Sequence, residues 1–291
     1  MSARRRSGAL RFWLQRAAML RRHPLGMIGL FLTVGLALTA VFAPLLAPYD
    51  PTAQFAGKEL LGPGPEFLLG TDRLGRDVLS RLLYGGRPTL LVGIIAVPFG
   101  AAIGTIIGIV AGYTSDLVDT ISMRAMDLIF SFPAILIGVL VVAIRGPGVE
   151  NVALAIAIYN IPVFARLARA GVTRLRHREF VEASVAVGAS RVRIMFQDLL
   201  PNLFPSLLVQ IGVAMAVAGL LEAGLSFLGL GSQAPDPSWG NMLADARASL
   251  RRAPLLGVFP GAVLATFLVG LNFLVDGLRD VLDPRDTSTE A

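Results

Sequence analysis

The side chains that most often carry covalent chemistry or bind metals are scarce in this sequence. The chain has no cysteine and only two histidines, His23 and His177, which lie far apart, each in an arginine-rich stretch. This excludes a disulfide framework, thiol catalysis and cysteine-ligated metal, and neither histidine has an obvious metal partner. The only Gly-Lys pair, Gly57-Lys58, is followed by Glu59 and not by the serine or threonine of a phosphate-binding loop. We therefore expect no catalytic site, cofactor or metal site in this chain.

The segment with the most ordered series of local signals lies between residues 174 and 202. A helix is predicted up to Val187, where Gly188 provides a residue that tolerates the left-handed backbone conformation. Ser190 can cap a second short helix, and Pro201 ends the motif as the next apolar run begins. A helix, a glycine turn and a second helix between two apolar segments form a rigid protrusion. Such a protrusion can transmit force only if another protein binds it.

The segments that must position this protrusion are strongly apolar. Of 291 residues, 54% are hydrophobic and 16% are charged, and the mean hydropathy is +0.68. A membrane-spanning helix needs about 20 apolar residues. Six runs meet or approach this length: 25–49, 88–115, 128–144, 151–165, 199–221 and 253–275. The third can extend back past Asp127 and the fourth can include Arg166, so the sequence predicts an all-α polytopic membrane protein with about six transmembrane helices.

Positively charged residues are unevenly distributed among the connections. If the N-terminus is cytoplasmic, the cytoplasmic segments hold 17 Arg and Lys residues and the external segments hold 9. Residues 1–24 alone carry seven arginines and no acidic residue. Because positive residues are retained on the cytoplasmic side, both termini are predicted to be cytoplasmic. The net charge of +6 then reflects topology, and we expect no nucleic-acid partner because no basic segment is interleaved with stacking aromatic residues.

Glycines and prolines follow a pattern within the predicted helices. The second run has four glycines spaced four apart and hence on one helical face: Gly100, Gly104, Gly108 and Gly112. Such a stripe lets another backbone approach closely, which favours helix packing in lipid, with a hinge or pore-facing role as the alternative. Prolines inside the predicted spans are Pro98, Pro133, Pro162, Pro205 and Pro260. Five interrupted helices suit a transporter that bends better than a rigid anchor.

A second informative segment, 69–89, precedes the second apolar run. Its apolar residues fall on one helical face, and the opposite face carries Arg73, Arg76, Asp77, Ser80 and Arg81. Thr71 or Asp72 can cap the start of this helix, and Gly85-Gly86 can stop it. We expect an amphipathic helix along the outer surface of the membrane, either as a plain surface helix or as a gating or docking element.

The protrusion carries a recognisable motif. Glu182-Ala183-Ser184, Gly188 and Leu200-Pro201 resemble the EAA-x3-G-x9-I-x-LP loop of ABC importer permeases. Over residues 20–285, segments such as LGTDRLGRDVLSRLLYGG, EAGLSFLGLG and DGLRDVLDPR resemble the second-type permease of dipeptide, oligopeptide and nickel importers. This resemblance implies the type I ABC importer permease fold in a bacterial plasma (inner) membrane. It also implies three kinds of partner: a homologous second permease, two ABC ATPase subunits that bind ATP and Mg, and an extracytoplasmic solute-binding protein.

The resemblance also implies roles for individual residues. Glu182, Ala183, Ser184, Gly188, Leu200 and Pro201 match the loop that docks into a cleft of an ATPase subunit. Arg191 and Arg193 are candidates for ion pairs with that subunit, or else form a solvated basic face. Two positions depart from the motif. Ser184 replaces its second alanine, a small-for-small change, and Asp198 stands where the motif has isoleucine, which puts the packing of that turn in question.

The implied organisation has five parts. They are a cytoplasmic tail (1–24), a first transmembrane helix (25–49), an extracytoplasmic segment with the amphipathic helix (50–87), a permease core of five transmembrane helices (88–285) with its coupling loop (174–202), and a C-terminal tail (286–291). The core would be associated with membrane lipid. Within the external segment 222–252, Trp239 and Asn241 are candidate contacts for the solute-binding protein.

The implied function is ATP-driven uptake of di- or oligopeptides, with nickel or another small solute as the alternative. The catalysis would belong to the ATPase subunits, so the chain is predicted not to be an enzyme, and no substrate-binding residue is assigned. A secondary carrier is disfavoured because Asp127, Glu222 and Asp276, the ionisable residues of the spans, all lie near predicted ends. A membrane scaffold or sensor, whose loop would bind a signalling protein, is the remaining alternative.

Overall fold

The computed structural model describes residues 23–282, and this part of the chain is helical without a β-sheet. The predicted tail 286–291 and most of the tail 1–24 lie outside the described residues. The helices are α1 (Pro24–Val41), α2 (Ala43–Leu46), α3 (Val78–Tyr84), α4 (Gly86–Leu91), α5 (Val97–Tyr113), α6 (Asp116–Phe130), α7 (Ala134–Arg145), α8 (Val149–Leu175), α9 (Glu179–Ala186), α10 (Arg191–Arg193), α11 (Leu200–Phe227), α12 (Trp239–Ala246) and α13 (Leu255–Leu282). Two π-helical turns, Val92–Ala96 and Ile194–Leu199, join α4 to α5 and α10 to α11.

Helices long and apolar enough to cross a membrane dominate the described residues. Five such stretches are Pro24–Val41, Val78–Tyr113, Val149–Leu175, Arg191–Phe227 and Leu255–Leu282. A further crossing is available if α6 and α7, which meet at an angle of 83°, count as one span. The prediction of an all-α protein with about six transmembrane helices is therefore confirmed.

The third predicted span, 128–144, is interrupted at Pro133, one of the five prolines at which the sequence predicted an interruption. Helix α6 ends at Phe130, and Pro133 is the N-cap of α7. Proline has no N–H to donate, and it disfavours the helical conformation in the residue before it, here Phe132. Helix α7 has 12 residues. That makes it about 18 Å long, too short for a hydrocarbon core of about 30 Å. A crossing at this point therefore needs α6 as well.

One side of the bundle carries residues 176–190 and is called here the coupling side. The guanidinium of Arg176 donates a hydrogen bond to the carbonyl oxygen of Gly112 at 3.4 Å, so the end of α5 lies on this side. His23, before α1, pairs with Asp280 near the end of α13 at 2.8 Å. Helices α1 and α13 therefore run in opposite directions beside each other.

The opposite side, called here the far side, holds the connections after α7 and α11. The N–H of Gly148 donates to the carbonyl oxygen of Leu230 at 3.2 Å. Because Gly112 lies on the coupling side and Gly148 on the far side, the bent pair α6 and α7 passes from one side to the other. The bent pair is thus the third of six crossings.

Proline interrupts fewer spans than predicted. Pro162, Pro205 and Pro260 lie inside α8, α11 and α13, which remain continuous helices. Pro98 lies inside the continuous helical stretch 78–113, directly after the π-helical turn Val92–Ala96, so its missing N–H falls where the helix is already locally rewound. Only Pro133 stands at a sharp bend. Interior prolines are tolerated in packed transmembrane helices because neighbouring groups satisfy the freed carbonyls.

Residues 47–77, between α2 and α3, form a folded lobe with α12 on the far side. The predicted amphipathic helix in this lobe is wrong. Helix α3 begins only at Val78, and the carboxylate of Asp77 is its N-cap, not Thr71 or Asp72. Gly85 keeps right-handed helical angles (φ −63°, ψ −15°), so the chain continues into α4 instead of stopping. The helical stretch 78–113 thus leads straight into the second crossing.

Most of the predicted polar face is buried inside this lobe. The Arg76 side chain is 6% exposed; its Nε donates to Asp72 Oδ2 at 2.6 Å, and its Nη2 donates to Asp245 Oδ2 at 3.3 Å. Arg81 is 3% exposed, and its Nε lies 3.5 Å from the same Asp72 oxygen. Ser80 is fully buried. The charges of these two arginines are balanced by those of Asp72 and Asp245. This pairing allows a helix face that the sequence predicts to be exposed to solvent to lie inside the lobe.

Trp239 joins the lobe to the bundle. Its side chain is 2% exposed, and its Nε1–H donates to the carbonyl oxygen of Leu82 at 2.9 Å. A methyl group built at Gly86 would lie 2.8 Å from the indole ring, and one at Gly85 would lie 3.0 Å from it. The two glycines therefore admit the tryptophan and do not end a helix. Because Trp239 is buried, its predicted contact with a solute-binding protein is wrong, and Asn241 belongs to the capping box of α12.

Candidate coupling site

The protrusion between α8 and α11 has the helix–glycine–helix geometry that its sequence predicts. Gly188 follows α9 with φ +75°, in the left-handed region. The N–H of Ala189 donates to Ser184 O at 3.0 Å, and the N–H of Gly188 donates to Val185 O at 2.9 Å. These two bonds form a Schellman motif, which satisfies the last carbonyls of α9. A methyl group at Gly188 would meet nothing within 4 Å, so the backbone angle alone requires glycine.

Buried apolar side chains fix the protrusion to the bundle. Val181 of α9, together with Ile194 and Leu199 of the following π-helical turn, is at most 1% exposed. All three belong to the same core as Val172 of α8 and Leu203 of α11. Because close-packed contacts of this kind resist deformation, a force on the protrusion is passed to both spanning helices.

The outward surface of the protrusion carries an apolar patch flanked by charged residues. Val187 is 84% exposed, Val192 is 62% exposed and Val185 is 56% exposed. Glu182 and Ala183 are exposed beside them. Apolar side chains gathered on a rigid surface outside the spans are typical of a contact site for another protein.

The other residues of the motif line the edges of this surface. Ser184 and Leu200 are half-buried, and Pro201 is exposed in the first turn of α11. Ser190 caps α10 by accepting a hydrogen bond from the N–H of Arg193. Arg191 and Arg193 are exposed and form no ion pair with any residue between 23 and 282.

Asp198 lies in the π-helical turn Ile194–Leu199, at the position where the motif has isoleucine. Its Oδ2 is buried and has no hydrogen-bond partner among the described residues. The adjacent Leu199 is fully buried. Leu199 therefore fills the core at this turn, whereas Asp198 leaves one carboxylate oxygen buried without a partner among the described residues.

The four glycines of α5 face α8 along its length. Methyl groups built at Gly100, Gly104 and Gly108 would lie 2.6, 2.3 and 2.2 Å from backbone carbonyl oxygens of α8. One built at Gly112 would lie 3.1 Å from a fourth carbonyl oxygen. These oxygens are also spaced four apart, and they belong to Ala157, Ile161, Ala165 and Arg169. The two helices therefore meet backbone to backbone, which gives the bundle a tight central pair.

Two ion pairs that were not predicted from the sequence hold α6 against α8. Both carboxylate oxygens of Asp119 accept hydrogen bonds from Arg169. Arg166 donates to Asp127 Oδ1 at 2.8 Å and its guanidinium lies 4.3 Å from the ring centre of Phe130. The available signal was the presence of aspartates in α6 and of arginines in the C-terminal part of α8.

Glu222 is fully buried near the far-side end of α11. Its Oε2 accepts a hydrogen bond from the Thr89 hydroxyl at 2.7 Å, and its Oε1 accepts one from the Ser226 hydroxyl at 2.7 Å. Since Thr89 belongs to α4, this carboxyl ties two spanning segments together. Within residues 23–282, no cluster of three or more His, Asp or Glu side chains is arranged to hold a metal ion.

Two family profiles cover most of the sequence. Residues 104–287 match the binding-protein-dependent transport system inner membrane component, and residues 11–63 match the N-terminal transmembrane domain of oligopeptide transport permease C. The chain is 40% identical over 273 residues to the dipeptide transport system permease protein DppC of Alkalihalophilus pseudofirmus, which covers 94% of this chain and 90% of that protein. It is 41% identical over 275 residues to the glutathione transport system permease protein GsiD of Pectobacterium atrosepticum, with the same coverage of 94% and 90%.

The fold has a counterpart among solved structures. A chain of the MetNI methionine ABC transporter in an inward-facing conformation aligns with a TM-score of 0.59 at 17% identity. The alignment covers 70% of this chain and 97% of that chain. At this identity the likeness concerns the fold alone, and it confirms the ABC importer permease fold. The chain therefore belongs to the family of binding-protein-dependent transport system inner membrane components, the permeases of ABC importers.

Proposed function

We propose that this chain is a permease subunit of an ATP-driven importer that takes small peptides, of two or three residues, across the bacterial plasma membrane. The observation that carries the proposal is the similarity, at 40–41% identity over 94% of the chain, to permeases named for dipeptide and glutathione transport. Glutathione is itself a tripeptide, so the two names describe solutes of one size class. A peptide-sized solute is therefore favoured over nickel.

The protrusion is proposed as the contact with an ATPase subunit. Its support is the combination of Gly188, which fixes the turn, an exposed apolar surface at Val187 and Val192, and anchorage to α8 and α11. In this arrangement ATP binding would draw two such protrusions together and tilt the helices attached to them. The ATP and Mg would lie on the ATPase subunits, and this chain would supply the lever.

The orientation follows from the same proposal. ATP is cytoplasmic, so the coupling side and both termini would face the cytoplasm, in agreement with the excess of Arg and Lys in the segments on that side. The far-side lobe would then face the solute-binding protein. A homologous second permease would complete the path, because one chain with six crossings provides only part of the wall.

The coupling role is tested with Gly188→Pro, since proline cannot adopt a φ of +75°. The matched control is Gly57→Pro in the far-side lobe, where φ is +79° and a methyl group would likewise meet nothing within 4 Å. Tagged variants are purified in mild detergent, and the ATPase subunits that accompany them are quantified together with solute-stimulated ATP hydrolysis.

We expect Gly188→Pro to lose both the ATPase subunits and the stimulated hydrolysis while it still inserts into the membrane. Gly57→Pro should retain the ATPase subunits. Retention of both properties by Gly188→Pro would show that residues 182–201 are not the coupling site.

A further inference from the structure

One face of α11 is left uncovered by the part of the chain between residues 23 and 282. Its exposed and half-exposed residues recur at intervals of three and four, as they do on a single helical face. They are Asn202, Ser206, Gln210, Val213, Val217 and Leu220. The half of this face toward the coupling side is polar, and the half toward the far side is apolar. The change occurs between Gln210 and Val213.

The polar half of this face reaches a depth in the bundle at which helix α1 already exposes apolar side chains. A methyl group at Gly212 would touch Val275 of α13, and one at Gly29 of α1 would touch Leu274, so Gly212 and Gly29 lie at one level. Helices α11 and α1 both run from the coupling side to the far side. Gln210 therefore lies at about the same depth as Ile28 of α1, whose side chain is 48% exposed. The polar residues of α11 do not simply mark the edge of the membrane.

The side chains of Ser206 and Gln210 form no hydrogen bond with any residue between 23 and 282. By contrast, the exposed hydroxyl of Thr266 on α13 donates to Ala262 O at 2.8 Å. A primary amide without a partner is costly in lipid, because nothing there can replace its hydrogen bonds to water. Polar groups at such positions in membrane proteins face a water-filled cavity or another protein.

A cleft of about 360 Å³ opens beside this face, between α8 and α11. Ser206 and Arg174 contribute polar groups to its lining. Arg174 is exposed and forms no ion pair within the described residues. A guanidinium that shares a cleft with the unbonded Ser206 hydroxyl needs water or an anion as its partner.

We propose that Ser206, Gln210 and Arg174 form a water-filled wall of the solute path, open to the coupling side, and that water ends at Val213 on the same face. This inference rests on the proposed importer function, because a path for a polar solute is what a permease must provide. It adds the residues that line the path and the level at which the path is closed in this conformation.

The test is the accessibility of single cysteines. The chain has no native cysteine, so Ser206→Cys, Gln210→Cys, Val217→Cys and Ile28→Cys each carry one thiol. The assembled transporter in inside-out membrane vesicles is exposed to a membrane-impermeant trimethylammonium methanethiosulfonate. The tagged chain is then denatured and purified, and its unreacted thiol is quantified with a maleimide. Asp116→Cys, at an exposed position at the start of α6 and outside the proposed ATPase contact, confirms that the coupling side is reached.

We expect the cysteines at 206 and 210 to react at least about tenfold faster than those at 28 and 217, because an apolar environment suppresses the reactive thiolate. Equal reaction rates of the cysteines at 210 and 28 would overturn the proposal that Ser206, Gln210 and Arg174 line a water-filled path. Equal rates at 210 and 217 would overturn the boundary at Val213. ATP-driven peptide uptake by the unmodified complex separates the two proposals. If the cysteines at 206 and 210 are labelled but no peptide is taken up, only the importer function is contradicted. If peptide is taken up but these cysteines are not labelled, only the water-filled path is contradicted.

Discussion

The close contact between α5 and α8 makes Gly108→Ala the sharpest test of the bundle's packing. The new methyl group would lie 2.2 Å from the carbonyl oxygen of Ala165 and 2.8 Å from Cβ of Ala168. Ordinary van der Waals contact begins at 3.4 Å, so the helices must separate locally by about 1.2 Å. Neither obstacle is the flexible end of a side chain, and the strain cannot be relieved by a rotamer change.

The cost of this separation follows from the packing that it disturbs. Ile109, Phe164 and Val172 are fully buried in the α5–α8 core, and a gap of this size weakens their dispersion contacts. Inserting a methyl group into a well-packed core costs about 1–3 kcal/mol. Alanine also stabilises a helix by up to about 1 kcal/mol relative to glycine, which must be separated from the packing effect.

Gly35→Ala on α1 provides that separation, because a methyl group there meets nothing within 4 Å. Both variants replace a helical glycine, so their difference isolates the packing term. We expect the apparent free energy of unfolding, measured by titration with dodecyl sulfate in mixed micelles, to be lower for Gly108→Ala by about 1–3 kcal/mol. Gly112→Ala, where the nearest carbonyl lies at 3.1 Å, should fall between the two.

The reasoning would be refuted if Gly108→Ala and Gly35→Ala unfolded at the same detergent fraction. It would be refuted equally if Gly112→Ala were the most destabilising of the three. Either result would mean that α5 and α8 are not in backbone contact.

Three further changes test other parts of the structure. Arg76→Ala should lower the free energy of unfolding by about 3 kcal/mol, because Asp72 keeps only the more distant Arg81, whereas Arg73→Ala, at an exposed position, should change it by less than about 0.5 kcal/mol. Trp239→Phe should cost about 1 kcal/mol for the lost hydrogen bond to Leu82, and Trp239→Ala about 3–5 kcal/mol, both measured by the same titration. Asp198→Ile should leave stability unchanged or raise it by up to about 2 kcal/mol, since it removes an unpartnered buried oxygen; a clear loss would indicate a partner for this carboxylate.

Much of the architecture is predictable from the sequence because a membrane-spanning helix is a local property. Apolar runs of sufficient length locate the crossings. The turn at Gly188 is also predictable, because it depends only on the backbone angle of that glycine and not on contacts with distant residues. The glycine spacing in α5 predicts that some helix approaches closely. The spacing alone does not tell which helix approaches. The carbonyl oxygens that face these glycines belong to α8, which is distant in the sequence.

The errors arose where distant residues decide the local structure. Arg76 and Arg81 have the spacing of a solvated helix face. Both are buried because Asp72 and Asp245 form ion pairs with them, and Asp245 lies 169 residues away from Arg76. Arg81 also donates hydrogen bonds to the carbonyl oxygens of Pro51 and Pro235. The sequence predicted an interruption at Pro133 and equally at the prolines inside α8, α11 and α13, where none occurs because neighbouring helices accommodate them. Tertiary contacts of this kind leave no periodic signal in a single sequence.

The most direct test of the central proposal is uptake of a radiolabelled dipeptide into proteoliposomes that contain this chain with its co-purified permease and ATPase subunits. The solute-binding protein is supplied outside the vesicles and ATP with Mg inside them. The proposed function predicts accumulation that requires both ATP and the binding protein and that is lost in Gly188→Pro. Accumulation driven by an ion gradient without ATP, or ATP-driven accumulation that Gly188→Pro leaves intact, would contradict it.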